Sequence, residues 1–104
     1  MGCNVIMYMV EFFNLKPNEV VDEFLQEHRA FLAKHVATGV IIAAGPKVPR
    51  DGGIIIVADI ARDQLDRLLA EDPFLKRSYA RCVVTEFKSN FLSPALGRAA
   101  LSEV

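Results

Sequence analysis

The chain has 104 residues, 52% of them hydrophobic and 24% charged, a composition that fits one folded domain and excludes a disordered or low-complexity segment. Twelve Lys and Arg against thirteen Asp and Glu leave a formal net charge of -1, which offers no general attraction for nucleic acid or for an anionic membrane surface. The longest apolar runs, such as 40–45 and 54–58, are far too short to span a bilayer, and no basic, secretion-type leader opens the chain. The expectation is a soluble, cytoplasmic protein.

Residues 4–13 (NVIMYMVEFF) are rich in β-branched and aromatic side chains and read as the first strand. Pro17 then opens a helix, with Glu19, Asp22 and Glu23 in its positive first turns. Val20, Val21, Phe24, Leu25, Phe31, Leu32 and Val36 recur at helical spacing, and Gly39 supplies the left-handed stop. Residues 40–44 and 54–58 read as the second and third strands. Between them Gly45, Pro46, Pro49, Asp51, Gly52 and Gly53 predict an irregular loop. A second helix is expected over 59–70, broken by Asp72-Pro73, and a fourth strand over 79–87. Residues 93–104 form a tail with room for a short terminal helix, so the domain proper is 1–92.

The order βαββαβ is the ferredoxin-like split βαβ arrangement, an α+β fold. Right-handed crossovers would place both helices on one face of a four-stranded antiparallel sheet. The first strand is apolar on both of its faces: Ile6, Tyr8, Val10 and Phe12 point one way, Val5, Met7, Met9 and Phe13 the other. Ile54 to Val57 is also apolar on both sides, whereas a half-exposed antiparallel strand should alternate. An apolar sheet face left open implies a partner, and the expectation is a homodimer with two sheets packed face to face, able to assemble further.

Few residues carry chemistry. The two cysteines, Cys3 and Cys82, stand far apart without metal-ligand spacing, and Cys82 in an apolar strand pattern reads as a buried reduced thiol. Of the two histidines, His28 lies within the apolar stripe of the first helix and His35 one heptad later, where it compensates the helix dipole. A histidine on an apolar face is a packed core residue or a base. Asp72 before Pro73 is an N-cap for a one-turn helix or the orienter of an imidazole, and nothing local separates the two. Tyr8, Gly45, Pro46 and Tyr79 are candidates for substrate contacts, with Arg77 near Tyr79. No nucleophile elbow, phosphate-binding loop or metal motif appears. Neither a metal nor a cofactor is expected.

Taken in order, Glu27-His28-Arg29-Ala30-Phe31-Leu32, Gly39-Val40-Ile41, Ala44-Gly45-Pro46, Gly52-Gly53-Ile54-Ile55-Ile56 and Glu71-Asp72-Pro73-Phe74 resemble the YCII-related (YciI-like) family. The resemblance implies a ferredoxin-like dimeric α/β barrel and a histidine–aspartate centre, which carry over to His28 and Asp72 as catalytic candidates. Relatives include dehydrochlorinases and the related muconolactone isomerases. The implied function is cofactor-free proton transfer on a small cyclic or phenolic compound, by elimination or isomerisation. The rival readings are a dimeric module that binds a small ligand or a protein without catalysis, an oxygenase or haem protein on the same barrel, and a structural dimer with a vestigial pair.

Overall fold

The computed structural model describes residues 5–95. The elements run β1 (Val5–Asn14), α1 (Asn18–Val21), a 3₁₀ turn (Asp22–Phe24), α2 (Leu25–Ala37), β2 (Ile41–Pro46), β3 (Gly52–Ala58), α3 (Arg62–Ala70), α4 (Pro73–Lys76) and β4 (Ala80–Ser89). The sheet order is β2-β3-β1-β4, with every neighbouring pair antiparallel. This is the expected α+β ferredoxin-like domain. The expectations on Cys3, Asn4 and residues 96–104 fall outside the described residues.

The pleat of β1 sorts its side chains as expected. Tyr8, Val10 and Phe12 are buried with Ile55 and Val57 of β3 against Val21, Phe31, Leu65, Leu68, Leu69 and Phe74 from the helices, so the helices share one face. On the opposite face Val5, Met7 and Ala58 form a separate, smaller cluster with Ile42, Ile56 and Leu92 packed against it. Val83 and Phe87, which pair with Glu11 and Met7 across β4, remain 47% and 44% exposed there.

Three boundaries differ from the sequence expectation, each for a local reason. The first helix is not continuous. It tightens to 3₁₀ geometry at Asp22–Phe24, a segment with no buried residue. The ring of Phe24 leaves the stripe to meet Tyr79 edge-on at 5.6 Å, with the Arg77 guanidinium 3.9 Å above it. The second helix starts at Arg62 and not at Asp59, because the intervening backbone is held by β1. Asp59 N–H donates to the Ile6 carbonyl at 2.7 Å, and the Ile60 carbonyl accepts the Tyr8 hydroxyl at 2.8 Å. Asp59 sits in the left-handed region at φ 61°.

The expected loop between the second and third strands shrinks to residues 47–51. Gly45 pairs with Ile54 and Pro46 with Gly53, so the glycines and Pro46 belong to a hairpin. β2 is an edge strand, where a proline without an N–H is tolerated. Gly52 is required: a Cβ there would lie 1.9 Å from the Phe12 carbonyl oxygen. The hairpin tip lies beside α1 and the 3₁₀ turn, where Arg50 meets Asn18 and Asp22.

Candidate active site

α2 presents Leu25, His28, Arg29 and Leu32 on one stripe at i, i+3, i+4 and i+7, and this stripe walls a cleft of about 260 Å³. Phe12 of β1, Ile55 of β3 and Phe74 of α4 supply the apolar floor. Gly45, Pro46, Gly52 and Gly53 form the hairpin side. Asn14, Arg29, Arg50 and His28 are its polar groups.

The His28 ring is held from several directions. It stacks on Phe74 with centroids 4.1 Å apart and planes 12° from parallel, and Phe12 meets it edge-on at 6.4 Å. Its Nδ1 lies 3.4 Å from Asp72 Oδ2. Both atoms are buried, and neither has a hydrogen-bond partner among the described residues. A carboxylate oxygen withdrawn from water in this way is costly unless something compensates it, and the imidazole is the group that faces it. Nε2 makes no hydrogen bond to the described residues, and the His28 side chain as a whole is 15% exposed.

Asp72 takes the capping role foreseen for it and also faces His28. It is the N-cap of α4, and its Oδ1 accepts the Phe74 N–H at 2.8 Å, with Pro73 at the first helical position. The cap fixes the carboxylate so that the other oxygen is aimed at His28. Asp72 is fully buried and stands behind the ring, away from the cleft surface.

The structure brings together four of the expected residues: His28, Gly45 and Pro46 line the cleft, and Asp72 backs His28. The two tyrosines do not line it. Tyr8 lies on the helix-covered face, its hydroxyl given to the Ile60 carbonyl. Burial, then the charge of Glu86 on the neighbouring strand, pushes its phenol above the ordinary value. Tyr79 packs against Phe24 and donates its N–H to the Phe74 carbonyl. Arg77 pairs with Glu27 at 3.4 Å. His35 lies 3.6 Å from Glu71 through Nε2 and edge-on to Phe31 at 4.9 Å, on a separate shallow depression.

Sequence reasoning missed Arg29, Arg50 and Asn14. Arg29 had a signal, because it stands four residues after Leu25 and three before Leu32. Arg50 had none. It reaches the cleft only because the hairpin tip folds back to α1, where its guanidinium pairs with Asp22 and its carbonyl accepts from Asn18 at 3.5 Å. Arg50 holds the Asp22 carboxyl below its ordinary range. The Cys82 thiol, half-buried beside Phe12 on β4, is pushed up by burial and then by the charge of Asp72. No cluster of three or more His, Cys, Asp or Glu side chains able to hold a metal occurs among the described residues.

Among solved structures the chain is similar to the 5-chloro-2-hydroxyhydroquinone dehydrochlorinase of Burkholderia phenoliruptrix AC1100, in complex with 2,5-dihydroxybenzoquinone. The TM-score is 0.67 at 19% identity, covering 79% of this chain and 93% of that one. It is also similar to SnoaB, a cofactor-independent oxygenase from Streptomyces nogalater, with a TM-score of 0.50 at 15% identity, covering 88% and 99%. At these identities the likeness is one of fold. No curated protein matches the chain. The family model of the YCII-related domain matches residues 7–88, most of the chain. The protein therefore belongs to the YCII-related family.

Proposed function

We propose that the cleft is the active site of a small-molecule enzyme, in which His28 is the general base and Asp72 its orienting carboxylate. One observation carries this reading. The imidazole lines an open, mostly apolar cleft while its inner nitrogen faces a buried carboxylate at 3.4 Å whose facing oxygen has no other partner among the described residues. Asp72 selects the tautomer with the proton on Nδ1, which leaves the Nε2 lone pair free, and it stabilises the imidazolium that forms. Stacking on Phe74 keeps the ring from turning. The apolar walls limit water, so a proton taken by Nε2 is not lost to bulk solvent at once.

The reaction class is proton transfer. In an elimination, Nε2 removes a proton from a ring hydroxyl or C–H, the electron pair moves into the ring, and a leaving group such as chloride departs from a conjugated carbon. The net loss is H⁺ and Cl⁻, and no oxidant is consumed. In an isomerisation the same proton returns to another carbon of the enolate. The dehydrochlorinase named above supports elimination as the first choice. The test is chloride release and product formation with 5-chloro-2-hydroxyhydroquinone and a panel of unsaturated lactones. His28→Gln and Asp72→Asn should each lower turnover by about 10²–10⁴-fold, the usual worth of a positioned base, while circular dichroism stays unchanged. Full turnover in either variant sinks the mechanism, and oxygen uptake in place of elimination would favour an oxygenase.

The same reading includes a homodimer joined through the open sheet face, because Val83 and Phe87 lie exposed beside the Val5–Met7–Ala58 cluster. A cytoplasmic setting agrees with the free thiol of Cys82. No helix among the described residues is long and apolar enough to cross a membrane.

A further inference from the structure

The arginines of the described chain differ in one respect. Arg50 pairs with Asp22, Arg62 with Asp66, Arg67 with Asp63 and Arg77 with Glu27, while Arg81 lies 4.3 Å over the Phe13 ring. Arg29 alone among them has neither a carboxylate within 4 Å nor an aromatic ring beneath it among the described residues. The reason is visible in the sequence. Its helical neighbours three and four positions away are Leu25, Gln26, Leu32 and Ala33, so no acid is in reach along the helix. Arg29 nevertheless lies on the stripe that walls the cleft, where Leu25 and Leu32 bracket it, next in the chain to His28.

The charges around this edge do not cancel. Arg29 and Arg50 both line the cleft, and the nearby acid, Asp22, is already taken by Arg50. Among the described residues one positive charge is therefore left over at the rim of the cleft. Arg29 is itself exposed there, so a pair it forms is weakened by salt. Resting on the active-site reading above, we infer that the substrate of this cleft carries a negative charge, a carboxylate or an ionised phenol or enol, and that Arg29 is the side chain that holds it. The planar fork of the guanidinium suits a carboxylate or a vinylogous one. With the anion fixed at Arg29, the ring of the substrate lies on the apolar floor and its acidic position is presented to His28. Arg29 is thus a specificity residue and takes no proton.

The test uses matched pairs of probes that differ in charge and little in shape: benzoate and benzamide, 3-hydroxybenzoate and 3-hydroxybenzamide, 2,5-dihydroxybenzoquinone and its dimethyl ether. Binding to the full-length protein is read by titration calorimetry at two salt concentrations. At least one anion should bind about tenfold more tightly than its neutral partner, the scale of one charge-assisted contact, and added salt should narrow the gap. Arg29→Gln should abolish the preference, and Arg29→Lys should keep part of it. If no anion outbinds its neutral partner, or if Arg29→Gln retains the preference, the inference is overturned. His28→Gln separates this inference from the catalytic one. The anion preference should survive in that variant even though proton transfer is gone. A preference lost in Arg29→Gln together with full turnover in His28→Gln would uphold the anion site and remove the base.

Discussion

Asp72 and Tyr8 show how one side chain answers to both its own backbone and a distant element. Replacing Asp72 by Asn keeps an acceptor for the Phe74 N–H, whereas Ala removes the cap. Asp72→Ala should therefore cost about 1–2 kcal/mol by urea denaturation, and Asp72→Asn much less, so the Asn variant is the one that isolates the chemistry. Tyr8→Phe deletes the hydroxyl held by the Ile60 carbonyl and should cost about 1 kcal/mol. Its pKa is raised by burial from the ordinary 10.0, so the fold favours the neutral phenol. That contribution is complete below pH 10.0, where the unfolded phenol also keeps its proton, and is lost as pH climbs through the higher folded value. Wild-type stability should fall over this alkaline range more steeply than that of Tyr8→Phe, as denaturation midpoints against pH would show. The residue type and the apolar face of Tyr8 were legible from alternation in β1. That its hydroxyl would be consumed by a carbonyl 52 positions away was not, because that bond depends on how β3 leads into α3.

At the scale of elements, the β2–β3 hairpin decides the shape of the cleft. Its glycines looked like loop residues because small residues and prolines carry no periodicity, and the same residues serve an edge strand equally well. Two of the hairpin glycines make opposite predictions. Gly52→Ala would push a Cβ against the Phe12 carbonyl at 1.9 Å and separate β1 from β3, costing about 1–3 kcal/mol or more. At Gly45 an added Cβ meets nothing within 4 Å. Gly45→Ala should be neutral or stabilise by up to about 1 kcal/mol through the unfolded chain. Chemical denaturation of the two variants side by side checks both. A Gly52→Ala protein as stable as wild type would mean that β1 and β3 do not approach as described.

For the whole molecule, the question is what covers the second face of the sheet. Two apolar faces on β1 were evident in the sequence, and one of them is filled by the helices. If a second copy covers the other, Val83→Glu and Phe87→Glu should each convert a dimer to a monomer in sedimentation velocity while secondary structure is kept. A wild-type protein that sediments as a monomer at all concentrations would refute the dimer.

The amino-acid sequence by itself determined the order of the strands and main helices and the two-sided β1, while His28 and Asp72 were singled out together only through the family resemblance. These depend on backbone propensity, side-chain period and short motifs, which are local quantities. Only the tertiary structure decided that Tyr8 and Tyr79 stand outside the cleft, that the hairpin forms one of its sides, and that Arg50 pairs with Asp22 while Arg29 has no carboxylate partner among the described residues. Those outcomes follow from which surfaces meet when α2, α4 and the hairpin pack on the sheet. No periodicity along a single segment carries that information.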